Sequence, residues 1–408
     1  MKAAGGSDPA GAGFVSALAV IVVVGFALRL GDVRAVEEVG GRLGPDAREY
    51  LTIARQMKGF YWPSYREPLY PALIHIATWL VGPSERAPRL VSFTFSNLLV
   101  LVTALVGWRL FGKWSALAAS AFVAVHPYYL YRSTEGLRIE LYSVLLLAFV
   151  WLLSDEQAPR PALRIVLASV VGGLLSLARM TSFVFVLPAL AWRVLSRAKD
   201  ASLRECFLAA LVGLALMALM VTPYLYVCHR YLGDGLIWIN RHADWWHHRE
   251  LADAQSRQHS AAQSMPEAAG PADKRSGHHG GPVTVWRYVV GDRPLGSIVV
   301  RMLKGYGEMF WILGCIFATE ALYARTHLVA LVGWLGFVGL ARSLWQGPRL
   351  PVVVVLLSIL PVSFVASVGA NFRLFLHVLP VWILWLAWGL GWPWHVLSKR
   401  HSRTHPLA

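Results

Sequence analysis

The chain has 408 residues, of which 56% are hydrophobic and 15% charged, with a mean hydropathy of +0.50. A soluble domain is usually about 45–50% apolar and about 25% charged, and the apolar excess here lies in long uncharged runs, which excludes an ordinary soluble fold. The net charge of +15 comes from Lys and Arg in short loops between those runs, where the basic bias of cytoplasmic loops accounts for it; no nucleic-acid-binding motif is present.

Uncharged stretches run from Pro9 to Leu28, Leu90 to Trp108, Trp114 to Tyr131, Cys206 to His229, Leu350 to Phe372 and Leu374 to Ser398. Each is near or above the roughly 18–20 residues a spanning helix needs. The expected fold is an all-α polytopic membrane protein with spans near 11–30, 89–109, 113–131, 138–154, 162–178, 180–196, 205–228, 325–342, 350–370 and 374–395. Five short basic segments, four loops and the tail "KRHSRTHPLA", assign one side to the cytoplasm and place both termini there. The chain then divides into a first transmembrane helix (1–30), an outer loop (31–88), a six-helix transmembrane core (89–229), a large outer loop (230–324), three further transmembrane helices (325–398) and a basic cytoplasmic tail (399–408). Pro68 to Val81 and Ile298 to Tyr323 read as helices at the outer interface. Ala254 to Pro282 is polar, rich in Gly, Pro, Ala and Ser, without period, and reads as a disordered excursion. The three cysteines, Cys206, Cys228 and Cys315, form no framework and show no metal-ligand spacing.

Five constellations carry candidate chemistry. "GPDAREYLTIARQM" (Gly44 to Met57) predicts a helix with Asp46, Glu49 and Tyr50 on one face and an apolar stripe of Tyr50, Leu51, Ile53, Ala54 and Met57. Asp46 alone reads equally as an acid favoured by the helix dipole. "HPYYLYRSTEGLRIELYS" (His126 to Ser143) brings Arg132, Glu135, Arg138 and Glu140 to the mouth of the bundle. A carboxylate as deep as Glu140 is costly unless paired, although an Arg138–Glu140 or Arg132–Glu135 pair can simply order the loop. Arg179 splits a long apolar region into two short segments, which predicts a helical hairpin with Arg179 in its turn. Arg373 interrupts two uncharged runs and is placed to hold a lipid phosphate or to anchor helix ends. His242, His247, His248, His278 and His279 match no ligand spacing and read as solvated loop histidines.

In this order the pieces resemble the GT-C superfamily of polyprenyl-phosphate-sugar-dependent glycosyltransferases, in the branch of the protein O-mannosyltransferases and the lipid A aminoarabinose transferases. "DAREYLTIA" supplies the Asp, Tyr and Ala of the acidic motif as Asp46, Tyr50 and Ala54, with Ala47 where many members have a second acid. "REPLYPAL" resembles the basic-Pro-Pro-Leu-Tyr element, with Glu67 in place of the first proline. "RLFG" (Arg109 to Gly112), the helix and carboxylate of Trp114 to Glu140, "LSLARMTS" and "FRLFLHVLP" follow, the last with Leu374 where a tyrosine is expected.

The resemblance implies a GT-C-like bundle with amphipathic interfacial helices in the first outer loop. It implies an inverting transfer of a sugar from a polyprenyl-phosphate carrier to an acceptor hydroxyl on a protein, lipid or glycan. Asp46 would act as general base, Glu140 as a second catalytic carboxylate, and Arg373, Arg66 and Arg138 would bind the donor phosphate. Tyr50, Glu135 and Arg179 are further site candidates. No metal ligand is identified, and a divalent metal ion enters only as an option the resemblance allows. The expected location is the plasma (inner) membrane, multi-pass, with the site facing outward. An O-antigen-ligase or polymerase-like enzyme and a lipid or solute transporter are the rival readings; a transporter would show a repeat symmetry that the sequence lacks.

Overall fold

A computed structural model describes residues 9–154, 160–196, 203–263, 284–291, 294–315, 333–366 and 376–391. Among them every regular element is helical. In chain order these are α1 (Pro9–Glu38), α2 (Pro45–Gln56), α3 (Leu69–Val81), α4 (Arg86–Phe111), α5 (Lys113–Val125), α6 (Pro127–Ser133), α7 (Ile139–Ser154), α8 (Pro161–Ala178), α9 (Phe183–Leu195) and α10 (Leu203–Leu232). They continue as α11 (Ile237–Gln263), α12 (Val285–Val289), α13 (Leu295–Gly314), α14 (Leu335–Gln346), α15 (Leu350–Ala366) and α16 (Leu379–Leu390). Arg373, His278, His279 and the tail lie outside the described residues.

By length and composition α1, α4, α8 and α10 can each cross a membrane, and α3, α5, α7, α9, α15 and α16 are shorter apolar helices. The protein is a membrane protein built as a helix bundle. α8 lies along α10, α4 packs between α5 and α7, and α16 docks on α14 and α5. Trp382 and Trp385 of α16 are fully buried, and the Trp382 indole donates to the Gly333 carbonyl at 3.2 Å.

Three local features differ from the expected spans. α1 continues to Glu38, well past residue 30. The expected span 113–131 breaks at His126 into α5 and α6. Pro127 cannot supply the N–H that would continue α5, so it opens α6 instead, with His126 accepting from the Tyr128 N–H. The fully buried Arg29 of α1 then donates to the Val123 and Ala124 carbonyls, both at 2.9 Å, and satisfies the end of α5. Ala254 to Gln263, expected to be disordered, continues α11 as helix.

The remaining turns follow from the sequence. Gly112, at φ +89°, makes the α4–α5 corner of "RLFG". Arg179 follows the end of α8 in an extended conformation and a short 3₁₀ turn, Met180–Ser182, leads into α9, as the hairpin reading predicts. α13 packs along α15, where a side chain on Gly305 would collide with the Ser363 carbonyl.

Candidate active site

The site is built on α2, which the sequence specifies closely. Pro45 opens the helix, Asp46 sits in its first turn, and Ala47, Tyr50, Leu51, Ile53 and Ala54 form the buried face. α2 packs on α3, and both rest on α4. This leaves Asp46 half-exposed above the bundle.

Arg66, on the segment between α2 and α3, reaches back to α2. Its Nη2 donates to Asp46 Oδ1 at 2.8 Å and to Glu49 Oε2 at 2.6 Å, and its Nε donates to the same Glu49 oxygen at 3.0 Å. Arg241 of α11 approaches the other Glu49 oxygen at 3.6 Å and lies over the Tyr65 ring at 4.2 Å. Beneath them the Tyr50 ring carries two guanidiniums, Arg66 at 5.3 Å and Arg138 at 5.9 Å.

Glu67 joins this layer to the bundle. Its side chain is 1% exposed; one oxygen pairs with Arg138 Nη1 and the other accepts from the Met180 N–H at 3.3 Å. Arg138 also donates to the Ala178 carbonyl at 2.9 Å. Burial would raise the Glu67 carboxyl, but Arg138, its own backbone N–H and His242 outweigh it and hold the group below the usual carboxylate range. One carboxylate therefore pins both Arg138 and the backbone beside Arg179.

Arg138 and Arg179 line a cavity of about 30 Å³ together with Ile139, Tyr142 and His377. Arg179 lies over the Tyr142 ring at 5.8 Å, Tyr142 bonds Ser182 Oγ at 2.9 Å, and the Tyr142 and His377 rings are 5.3 Å apart. Among the described residues no carboxylate pairs with Arg179, and burial pushes its guanidinium down from the usual arginine value. Such a cation favours an incoming anion.

The structure thus brings together Asp46, Tyr50, Arg66, Arg138 and Arg179. It keeps Glu140 and Glu135 apart from them. Glu140 is fully buried, both its oxygens lack a hydrogen-bond partner among the described residues, and it faces Arg132, Glu135 and Arg29. Glu135 pairs with Arg132, while Arg138 takes Glu67 and not Glu140. Arg373, a donor-phosphate candidate, is outside the described residues.

Tyr142 and His377 were not picked out from the sequence, where Glu49 figured only as a neighbour of Asp46 on the helix face, Glu67 as the acid standing where the resembled family has proline, and His242 as a solvated loop histidine. Metal binding does not fit: among the described residues no group of three ligating side chains forms, and the Arg66 guanidinium occupies the place between Asp46 and Glu49 that a bridging cation would need.

Residues 65–226 match the family described as dolichyl-phosphate-mannose-protein mannosyltransferase. The structure of the oligosaccharyltransferase AglB from Archaeoglobus fulgidus, in complex with an inhibitory peptide and a dolichol-phosphate, superposes with a TM-score of 0.56 at 14% identity, covering 98% of this chain and 53% of that one. The fold is that of the GT-C glycosyltransferases. An Archaeoglobus fulgidus oligosaccharyltransferase in complex with Zn and sulfate gives 0.54 at 18% identity over 95% of this chain and 50% of that one. ArnT from Cupriavidus metallidurans in the apo state gives 0.50 at 15% identity over 93% and 59%. The chain spans about half the length of the archaeal enzyme, and no curated protein matches it by sequence. In this GT-C frame the matched 65–226 segment holds Arg66, Glu67, Arg138 and Arg179, and α2 with Asp46 lies just before it.

Proposed function

We propose that the chain transfers a sugar from a polyprenyl-phosphate carrier to an acceptor hydroxyl at the outer face of the membrane. One observation carries this reading: a half-exposed carboxylate, Asp46, stands across the Tyr50–Arg66–Arg138 layer from a cavity edged by two arginines. Asp46 takes the proton of the acceptor hydroxyl as that oxygen forms its bond to the anomeric carbon. The bond between the anomeric carbon and the phosphate oxygen breaks on the opposite side, so the anomeric centre inverts. The departing phosphate keeps the electron pair, and Arg138 and Arg179, with Arg373 from beyond the described residues, stabilise its charge. The apolar helices around the mouth keep the carrier's isoprenoid tail in lipid.

Arg66 is assigned a different task from the phosphate binding expected of it. With two carboxylates on its guanidinium it orients Asp46. Glu49, acid to the same guanidinium, belongs to the same unit. Glu140 has no part in these steps, since its carboxylate is sealed in the bundle.

The reading is tested with the purified chain in lipid nanodiscs and a mannosyl polyprenyl phosphate, the donor class of the matching family. Consumption of donor with release of polyprenyl phosphate supports it. Mass spectrometry of glycolipids and glycoproteins in a deletion strain then identifies the sugar and acceptor. No accumulation of any polyprenyl-phosphate sugar in that strain overturns it.

A further inference from the structure

α11 belongs to the second outer loop and lies outside the 65–226 match. It is nonetheless docked on the site. Arg241 reaches Glu49 and Tyr65, and the neighbouring His242 lies within electrostatic reach of Glu67, Arg138 and Arg66.

The His242 ring has a fixed tautomer. Nδ1 lies 2.6 Å from the Trp238 carbonyl. A carbonyl oxygen only accepts, so Nδ1 carries the hydrogen and Nε2 of the neutral ring holds a lone pair. Among the described residues nothing bonds Nε2, and the residue is partly buried with part of its surface open to solvent. The surrounding side chains offer mainly positive charge, and burial among them, with Arg138 and Arg66, outweighs Glu67 and the Trp238 carbonyl and holds the imidazole below the ordinary histidine range. It is therefore neutral at pH 7. A neutral, oriented hydrogen-bond acceptor beside cations suits a hydroxyl, not a phosphate.

We propose that His242 is a substrate-binding residue whose Nε2 accepts a hydrogen bond from a hydroxyl of the transferred sugar or of the acceptor. This rests on the sugar-transfer reading and adds a wall to the same site, contributed by the second outer loop.

Two conservative variants separate this role from a structural one. Asn at position 242 keeps a donor near Nδ1, and with it the Trp238 contact, but loses the Nε2 acceptor. Gln places an oxygen near Nε2. In membranes holding the chain and its native acceptors, with undecaprenyl-phosphate mannose as donor, His242→Asn should lower transfer by roughly 10-fold, as expected when a buried hydroxyl loses its partner. His242→Gln should keep most of it, and thermal melting should match wild type for both. A raised donor KM assigns the hydroxyl to the sugar; an unchanged donor KM with a lower rate at saturating donor assigns it to the acceptor. Equal rates for Asn, Gln and wild type overturn the proposal. If the wild type transfers nothing, the sugar-transfer reading fails first, and nitrogen-15 spectra of the purified chain still decide on His242. A lone pair on Nε2 at neutral pH supports the assignment, and a proton there overturns it.

Discussion

Two clusters in this molecule use the same side chains for opposite ends. Between residues 230 and 324, Glu250 of α11 is held by the hydroxyl of Tyr288 and by Arg301, whose Nη1 lies 3.2 Å from Glu250 Oε2. Arg301 also donates from Nε to the Phe364 carbonyl at 2.7 Å and covers the Phe364 ring at 4.0 Å. Among the described residues the Arg301 guanidinium meets the Glu250 carboxylate, the Tyr288 hydroxyl and the Phe364 carbonyl. Between residues 31 and 88 three carboxylates, Asp46, Glu49 and Glu67, face four guanidiniums among the described residues, Arg66, Arg138, Arg179 and Arg241. Charge is in excess there, and it sits beside an opening. The Glu250–Arg301 cluster ties α11, α12, α13 and α15 together; the other leaves Arg138 and Arg179 at the edge of a cavity.

The contrast breaks if the excess cations do not bind phosphate. Arg179→Ala should raise the donor KM by about 10–100-fold, the scale of a lost charge-assisted hydrogen bond, while melting stays near wild type, because no acid is orphaned. Arg138→Ala should raise KM similarly but also melt far lower, since it strands the buried Glu67; a broken buried pair costs about 3–5 kcal/mol. Titration with undecaprenyl phosphate and thermal melting separate the two effects. An unchanged KM in both variants would make the first cluster as structural as the second.

Arg301→Ala sharpens the other side. It should destabilise the protein by about 1–3 kcal/mol, read by melting, and leave donor KM unchanged. The pH dependence distinguishes the clusters further. Glu67 titrates below its unfolded value, so the stability it contributes is present above the ordinary carboxylate range and is lost as pH falls through its depressed pKa. Melting against pH should therefore show an acid decline that Glu67→Gln flattens. The smallest effect is expected from Glu49→Gln: a few-fold loss of turnover, because Arg66 keeps Asp46. A loss as large as that of Asp46→Asn would move the base to Glu49.

Much of this was legible in the sequence. The α2 stripe and its acid, the Arg179 hairpin and the "RLFG" corner follow from periodicity, a lone charge between apolar runs and a glycine, all local signals. The Arg132–Glu135 pair was among the local alternatives and forms. What was not legible is long-range pairing. Arg138 has Glu140 two residues away and Glu135 three away, yet pairs with Glu67, 71 positions earlier, because Arg138, just before α7, points to Glu67 and the Ala178 carbonyl while Glu140 is buried on α7. His242, read from the sequence as a solvated loop histidine, stands on α11, and what lies near it is set by where that helix lands. Glu140 shows the same limit: its depth is visible in sequence, while the direction it faces is set by packing.

The most direct test of the account is the turnover of Asp46→Asn with donor in excess, measured beside its affinity for undecaprenyl phosphate. The substitution keeps the shape and removes the basic oxygen. Turnover should fall at least about 100-fold, within the roughly 10²–10⁴-fold worth of a positioned base, with phosphate affinity unchanged. Near-wild-type turnover, or a loss confined to affinity, would contradict it.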